Sequence, residues 1–342
     1  MRNSLLLFIL IAIGFGACKN EPKQAELPYI ALEGETMGTY YKITYSDSLD
    51  RNFQAEIEQF LQDFNDEVST YIPTSTISQF NQAEKSLDVS GKQYFLGNLQ
   101  KSREVFEKSG GTFDPTVMPL VNYWGFGYTP KKPVNQVDSA TVDSLLQFVG
   151  MEMLTLENGI LKKEKASVQL DFSAVAKGYA IDEIAKLLEN KGVQNYLIDI
   201  GGEARAKGKN ARGTVWTVGI NVPKEEAGLT EIQTAVELSG RSIATSGNYR
   251  NFYEVEGVKY GHEINPDTGF PERTSLLSAS VFADDCATAD AYATAFMIMG
   301  LDRAYQLATQ LPEIEAYFIY GAPDGSLQVK YTEELKILFE KE

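Results

Sequence analysis

The sequence is poor in the side chains that build soft-metal and disulfide sites. Its 342 residues include 1 His and 2 Cys. A structural zinc site takes about four Cys or His ligands, and a disulfide framework takes several pairs of cysteines, so both are excluded. A metal centre with several histidines is excluded as well. Any bound metal ion would be held by oxygen ligands, which favours Mg²⁺, Ca²⁺ or Mn²⁺.

The chain also lacks an excess of positive charge and the common nucleotide-binding signatures. Its formal net charge is -16, and no cluster of Lys and Arg offsets it, which excludes a nucleic-acid-binding protein. The sequence contains no P-loop, no GxGxxG motif after a strand and no GxSxG elbow. Chemistry on a phosphate group would therefore depend on isolated cations, helix N-termini or a metal ion.

The N-terminus has the pattern of a bacterial export signal. Arg2 precedes an apolar run over residues 5–13, which is too short to span a bilayer, and small residues then precede Cys18 as in a lipobox. This pattern predicts a signal peptide over 1–17 and lipidation of Cys18; an ordinary signal peptide with an incidental cysteine is the alternative. The polar residues that follow predict a tether over 18–28. We expect a lipid-anchored protein on a periplasm-facing membrane of the bacterial envelope.

The rest of the chain, 29–342, predicts one folded domain because no Pro/Gly/Ser-rich linker divides it. Strands and helices alternate without a regular βαβ rhythm, which favours an α+β fold, with two lobes and mixed or antiparallel sheets, over a doubly wound sheet. Periodicity predicts strands over 39–45, 196–200 and 216–222, and a hairpin over 253–260 that turns at Glu256 and Gly257. It predicts helices over 50–68, 93–108, 174–189 and 286–299.

Two glycine-rich segments would allow the backbone to approach a ligand closely. Gly110 and Gly111 precede Thr112, Phe113 and Asp114, and the aromatic residues of 122–127 could stack on a planar ring. In 199–203, a strand runs into a pair of glycines. The first segment alone also fits an ordinary turn with aromatic residues in the core, and the second alone also fits a bulge or a turn.

A predicted helix N-terminus near Ser173 offers a place for a phosphate group. Free N–H groups and the positive end of the helix dipole would point at the anion, with Lys177 one turn further along. Asp171 just before it fits equally well as a residue that caps the helix.

The only histidine of the sequence is a candidate general base, and a polar pair on an apolar helix is a candidate metal site. His262 lies beside the turn predicted over 266–269, and an imidazole side chain in such a position suits a general base near neutral pH. Asp290 and Thr294 are spaced i, i+4 on the predicted helix 286–299, which places a carboxylate and a hydroxyl on one face. Such oxygens suit Mg²⁺. The alternatives are a structural histidine, a solvent-facing Asp290 and a Thr294 bonded to its own helix.

Taken in order, these segments resemble the FAD:protein FMN transferase family, also called the ApbE family and once described as thiamine-biosynthesis lipoproteins. The resemblance covers nearly all of the mature chain. It rests on an ordered set of motifs: Met37-Gly38-Thr39, Ser69-Thr70-Tyr71, Gly111-Thr112-Phe113-Asp114, the segment 171–178, Asp199-Ile200-Gly201-Gly202, Ser246-Gly247-Asn248-Tyr249, the segment 262–269 and the segment 289–295. Asn248 departs from the expected pattern, in which a variable and often acidic residue is found.

The resemblance implies a single domain with FAD held in a cleft between two lobes. It implies catalytic roles for His262 and Lys177. It implies Mg²⁺ bound by the Asp290 carboxylate, the Thr294 hydroxyl and a backbone carbonyl that we place at Ala174. The FAD contacts that it implies are Met37, Tyr71, Thr112, Phe113, Asp114, Asp171, Lys177 and Ile264.

The resemblance implies that FMN is transferred from FAD to a Ser or Thr hydroxyl of an acceptor protein and that AMP is released. The expected acceptors are extracytoplasmic flavoproteins such as subunits of redox pumps. Two alternatives remain within this reading, an FAD pyrophosphatase that gives FMN and AMP and a non-catalytic FAD-binding lipoprotein. A solute-binding lipoprotein of a transporter is disfavoured because repeated βαβ units are absent.

Overall fold

The computed structural model describes residues 28–129, 138–223, 231–248, 252–255 and 258–335. Its strands, in chain order, are β1 (Tyr29–Thr36), β2 (Thr39–Ser46), β3 (Ser86–Asp88), β4 (Leu154–Glu157), β5 (Ile160–Lys163), β6 (Tyr196–Ile200), β7 (Glu203–Lys207), β8 (Trp216–Asn221), β9 (Ile232–Leu238), β10 (Ser242–Gly247), β11 (Phe252–Val255), β12 (Val258–Gly261), β13 (Leu276–Ala283), β14 (Ile314–Gly321) and β15 (Leu327–Tyr331).

The helices alternate irregularly with these strands. They are α1 (Gln54–Val68), α2 (Thr76–Gln82), α3 (Gln93–Lys108), α4 (Met118–Tyr123), α5 (Ser139–Leu146), α6 (Ala176–Asn190), α7 (Cys286–Met299) and α8 (Leu301–Ala308), together with a single 3₁₀ turn over Met151–Met153. In the part of the chain that the structure describes, none of the helices has both the length and the apolar character needed to cross a bilayer.

An eight-stranded sheet forms the centre of the fold. Its strand order is β1-β2-β6-β7-β10-β13-β14-β15, and every neighbouring pair is antiparallel. Smaller sheets consist of β3-β5-β4 and the hairpins β8–β9 and β11–β12. The α+β prediction with antiparallel sheets is confirmed.

The two faces of the large sheet carry separate apolar cores. Helices α6 and α7 pack against one face, and α1 and α3 pack against these helices. The hairpin β8–β9 covers the other face, where Trp216 and Leu238 meet Phe282 and Ile319. Side chains alternate between the faces of a strand, so Val281 belongs to the helix-covered core while its neighbour Phe282 belongs to the second core.

A third, smaller core lies apart from these two. Leu120, Trp124, Val142 and Ile264 form it, and the Trp124 indole N–H donates to the Gly269 carbonyl at 2.7 Å. We call α4, α5 and residues 262–271, which supply this core, the small lobe. The two-lobed arrangement expected from the sequence therefore corresponds to a large sheet-and-helix body beside this small lobe.

Most predicted elements are confirmed, with shifted ends where side chains bind the backbone. The helix predicted over 50–68 begins at Gln54, because Asp47 accepts the Arg51 N–H and Asn52 accepts the Gln54 N–H, both at 2.8 Å. The predicted hairpin corresponds to β11–β12, and its turn at residues 256 and 257 lies outside the described residues. The signal peptide, Cys18 and nearly all of the predicted tether also lie outside them.

Candidate active site

A cavity of about 410 Å³ lies between the large body and the small lobe. Ten of the residues singled out in the sequence line it: Tyr71, Phe113, Asp114, Asp171, Ala174, Lys177, His262, Ile264, Asp290 and Thr294. Its volume falls in the range of about 300–1,000 Å³ that small-molecule sites occupy. The fold thus brings segments far apart in sequence to one cleft.

A second cavity of about 920 Å³ adjoins the first one. Met37, from the turn between β1 and β2, lines it. The two cavities share part of their lining, namely Thr70, Tyr71, Asp171, Ser173 and Lys177. The shared residues lie at the junction of an elongated space, which suits a ligand with two large ends joined by a narrow middle.

Among the predicted FAD-binding, metal-binding and catalytic residues, all of them in the described ranges, Thr112 alone lines neither cavity. Its side chain is buried, and its hydroxyl accepts a hydrogen bond from Arg303 Nη2 at 3.3 Å. Its predicted contact with FAD remains a prediction.

The segment before α6 is shaped by side-chain hydrogen bonds rather than by a regular helix start. Asp171 accepts the Ser173 backbone N–H at 2.8 Å and the Ser173 hydroxyl at 2.9 Å. The helix predicted from residue 174 consequently begins at Ala176, after a turn. Asp171 therefore closes the turn before the helix and does not cap the helix itself, whose N-cap residue Val175 makes no side-chain capping hydrogen bond. It also faces both cavities.

Gly178 lies on α6 at the place where this helix contacts the start of α7. A Cβ atom at this position would collide with the backbone carbonyl of Cys286, so glycine allows the two helices to approach closely. The Gly178 N–H donates to Asp290 Oδ2 at 3.0 Å. The Ala174 carbonyl oxygen consequently does not receive the helical hydrogen bond that its position would give it.

Lys177, Glu203 and Asp290 form a charged cluster in the cavity lining. Lys177 Nζ lies 3.0 Å from Glu203 Oε1. Burial raises the pKa of Glu203 to about 7 against the opposing charge of Lys177, and burial likewise raises the pKa of Asp290. Burial alone would lower the pKa of Lys177, but the charges of Glu203 and Asp290 outweigh it and raise that pKa. Two carboxylates thus share one ammonium group.

The predicted metal ligands have the chemistry of a magnesium site. Asp290 supplies a buried carboxylate, Thr294 a hydroxyl that lies 3.2 Å from the Ser246 hydroxyl, and Ala174 a carbonyl free of its helical bond. In the described ranges, no group of three or more His, Cys, Asp or Glu could hold a metal ion. This set contains one carboxylate and two neutral oxygens, which leaves positions for water and phosphate oxygens as Mg²⁺ prefers. The excess of carboxylate over ammonium also favours a cation here.

His262 faces the same cavity from the small lobe. Its Nε2 lies 3.5 Å from Glu263 Oε1, its side chain is 37% exposed, and the Phe126 ring lies edge-on at 6.2 Å between centroids. Burial raises the pKa of Glu263, and His262 opposes this change. The histidine therefore combines access to the cavity with an acidic neighbour.

Asp114 organises the loop at the base of the small lobe. Its Oδ1 accepts the Thr116 N–H at 2.7 Å and the Thr116 hydroxyl at 2.6 Å, and Thr116 Oγ1 accepts the Gly150 N–H at 2.6 Å. Burial raises the pKa of Asp114 to about 6 against these hydrogen bonds. Asp114 thus positions Phe113 and the loop in addition to lining the cavity.

Glu203 is a site residue that sequence reasoning did not assign. Its Oε2 is buried without a hydrogen-bond partner among the described residues, and the side chain lines the first cavity. The sequence signal that could have indicated Glu203 is the pair Gly201-Gly202 just before it, which predicts a sharp turn at this point. Both glycines have positive φ, 64° and 107°, and they turn the chain from β6 into β7 so that Glu203 is the first residue of the new strand.

Comparison with known proteins agrees with this geometry. Residues 37–318 match the family described as "ApbE family". The "FAD:protein FMN transferase" of Vibrio cholerae serotype O1 is 35% identical over 95% of this chain and 96% of its own. The protein of that name from Escherichia coli K12 is 32% identical over 86% of each chain.

Solved structures resemble the whole fold. "Flavin Transferase ApbE from Vibrio cholerae" superposes with a TM-score of 0.83 at 33% identity, covering 92% of this chain and 100% of that one. The apo form of Pseudomonas stutzeri flavinyl transferase ApbE gives a TM-score of 0.82 at 30% identity, covering 92% of this chain and 98% of that one.

Proposed function

The chain belongs to the ApbE family, and on that premise we propose that it transfers FMN from FAD to a Ser or Thr hydroxyl of an acceptor protein and releases AMP. The observation that carries the proposal is the pair of cavities that meet at Lys177. A flavin and an adenosine need two spaces, and the diphosphate between them needs positive charge, which Lys177 supplies at the junction and a bound Mg²⁺ would supplement. FAD has this shape and charge.

Lys177 and the turn before α6 would bind the diphosphate. Lys177 faces both cavities, and the backbone of the turn over 173–175 precedes the positive end of α6. Tyr71 faces both cavities as well, and it is 70% exposed, so that its ring is free to stack on a flat ligand.

Mg²⁺ would be held by the Asp290 carboxylate, the Thr294 hydroxyl and the Ala174 carbonyl. It would neutralise charge that develops on the phosphate groups as the bond to AMP breaks. Asp290 is fixed for this role by the Gly178 N–H, which occupies one of its two oxygens and leaves the other one available. Glu203 holds the Lys177 ammonium group in place beside it.

His262 is the proposed general base. The acceptor oxygen forms a new bond to the FMN phosphorus, the bond from that phosphorus to the AMP oxygen breaks, and the hydroxyl proton passes to His262. His262 belongs to the small lobe, and Lys177 and Asp290 belong to the large body. The acceptor would therefore enter between the lobes, from the His262 side.

We also propose that the protein is a lipoprotein of the bacterial envelope. The lipobox-like residues before Cys18 and the polar segment after it support this placement. Extracytoplasmic flavoproteins, such as redox-pump subunits, would then be the acceptors within reach of the anchored enzyme.

The experiment combines the purified protein with FAD, Mg²⁺ and an acceptor domain, and records the intact mass of the acceptor and the release of AMP. The proposal predicts a mass gain of one FMN unit that disappears with a chelator or when the acceptor hydroxyl residue is replaced by Ala. Free FMN with an unmodified acceptor would mean that the protein is an FAD pyrophosphatase and not a transferase. Bound and uncleaved FAD would leave only a flavin-binding protein.

His262→Ala tests the base in the same assay. Transfer should fall by about 10²–10⁴-fold, because an unassisted hydroxyl is a poor nucleophile. FAD affinity, measured by quenching of flavin fluorescence, should stay close to that of the wild type. Loss of FAD binding would instead assign His262 a structural role.

A further inference from the structure

A second ion pair bridges the same helix and strand as the Lys177–Glu203 pair, outside the lining of the two cavities. Asp182 of α6 is buried and accepts a hydrogen bond from Arg205 Nη1 of β7 at 2.5 Å. The same carboxylate accepts the backbone N–H groups of Cys286 at 2.9 Å and Ala287 at 3.0 Å, at the start of α7. One side chain thus connects three elements.

These are the three elements that carry Lys177, Glu203 and Asp290. Asp182 follows Lys177 by five residues on α6, about one and a half turns, and Asp290 follows Cys286 by four on α7, about one turn. Arg205 follows Glu203 by two residues on β7 and therefore points to the same face of the strand. The pair repeats the Lys177–Glu203 salt bridge further along α6 and β7, with the signs exchanged between the two elements.

From this arrangement we propose that the Asp182–Arg205 pair is a positioning device that sets the affinity of the site for its divalent cation. The inference rests on the proposed function, in which Asp290 binds Mg²⁺. Asp182 fixes the first turn of α7 relative to α6, and the direction of the Asp290 side chain follows from the placement of that turn. Arg205 fixes β7, and with it Glu203, relative to the same carboxylate.

Helix α7 has its own cap. Its formation therefore does not depend on Asp182, which can act on its position alone. Asp285 accepts the Thr288 N–H and the Thr288 hydroxyl, each at 2.9 Å. The first turn of α7 is therefore closed locally whether or not Asp182 is ionised. Loss of the Asp182 charge should let α7 shift against α6 without unwinding it.

The test measures Mn²⁺ binding by electron paramagnetic resonance on the full-length protein in the presence of AMP. Asp182→Asn keeps the size of the side chain and removes its charge. Arg205→Lys keeps a cation but removes the planar fork that reaches Asp182. Glu183→Gln is the matched control, because Glu183 is the next residue on α6 and pairs with the exposed Lys186 at 2.6 Å.

Asp182→Asn should raise the dissociation constant for Mn²⁺ about tenfold, as outer partners of metal ligands commonly do, and Arg205→Lys should raise it by a smaller factor. Glu183→Gln should leave it unchanged. The maximal transfer rate of Asp182→Asn should return to within about threefold of the wild type when Mn²⁺ is saturating, because the ligands themselves are intact.

An unchanged Mn²⁺ affinity in Asp182→Asn, with or without a lower melting temperature, would overturn the inference and leave the pair a purely structural role. If Asp182→Asn does not fold, Arg205→Lys decides the question by the same criterion. A wild-type protein that binds no Mn²⁺ would overturn the proposed metal site and this inference together. A wild type that binds Mn²⁺ with unaffected variants would overturn this inference alone.

Discussion

Two lysines that point into the molecule have opposite surroundings. Lys177 lies at the junction of the two cavities, half-buried, beside Glu203 and Asp290. Lys163, at the end of β5, is 6% exposed, and its ammonium group donates to the backbone carbonyls of Phe80, Asn81 and Val168 at 3.1, 3.3 and 2.9 Å. One ammonium group faces carboxylates and a cleft, and the other one faces only peptide groups and the Phe80 ring.

The electrostatic outcome follows from the neighbours. Two carboxylates raise the pKa of Lys177, whereas burial lowers the pKa of Lys163 to about 8 because carbonyl dipoles compensate less of a full charge than carboxylates do. A lysine that stays charged at a cavity suits phosphate binding. A lysine among carbonyls is suited to hold separate backbone segments together by hydrogen bonds. The comparison teaches that the partners of a buried cation, and not its burial, indicate its role.

Removing a carboxylate from the Lys177 region should have the largest effect. Asp290→Asn keeps an acceptor for the Gly178 N–H but loses the charge that would hold Mg²⁺, and we expect the transfer rate to fall about a thousandfold. FAD binding, followed by fluorescence quenching, should change little. Asp302→Asn on the exposed side of α8 is the control. Turnover at the wild-type rate with the same metal requirement would remove Asp290 from the metal site.

The same substitution at both lysines tests the comparison directly. Lys177→Met should lower kcat/KM for FAD about a hundredfold, because the junction loses its cation. Lys163→Met should leave kcat/KM within about threefold of the wild type, because Lys163 lines neither cavity. Initial rates of AMP release measure both. Equal losses of kcat/KM in the two variants would show that the different surroundings of the two lysines do not determine their contribution to activity.

The smallest expected effect is a pH dependence of stability due to Lys163. Below about pH 8 both the folded and the unfolded chain carry the proton, so Lys163 contributes no slope. Between about pH 8 and its ordinary value of 10.5, the unfolded chain binds more protons than the folded one. The free energy of unfolding should therefore rise with pH relative to Lys163→Met, by up to about 3 kcal/mol.

Urea denaturation of the wild type and of Lys163→Met at about pH 7.5 and about pH 9.5 measures this difference. A stability difference between the two proteins that is the same at both pH values would show that the Lys163 pKa is not depressed.

Local patterns in the sequence predict several elements to the residue. The predicted helices 93–108 and 286–299 and the predicted strand 196–200 coincide with α3, α7 and β6. Apolar periodicity defines these elements, and a glycine or a turn closes each of them, so both signals lie within the element itself. The ordered motifs likewise predict which segments meet at the cleft, since all but Thr112 of the predicted ligand residues line a cavity.

Residues whose role depends on distant partners were not predictable in this way. The role of Glu203 depends on its salt bridge with Lys177. The role of Asp182 depends on its contacts with Arg205 and the start of α7. On its own helix Asp182 looks like an ordinary polar residue. Only the packing of α6 against β7 and α7 brings the partners within hydrogen-bonding distance, and periodicity carries no information about that packing.

The Cys286 thiol can report how often the start of α7 separates from the sheet. The thiol is fully buried against the carbonyls of Ala204 and Ile243, at 3.7 and 3.8 Å, and burial raises its pKa well above the ordinary value. An alkylating reagent reaches such a group only when the start of α7 separates from β7 and β10. The labelling rate of Cys286, read on its own peptide, therefore measures how often the start of α7, the helix that carries Asp290 and Thr294, separates from the sheet.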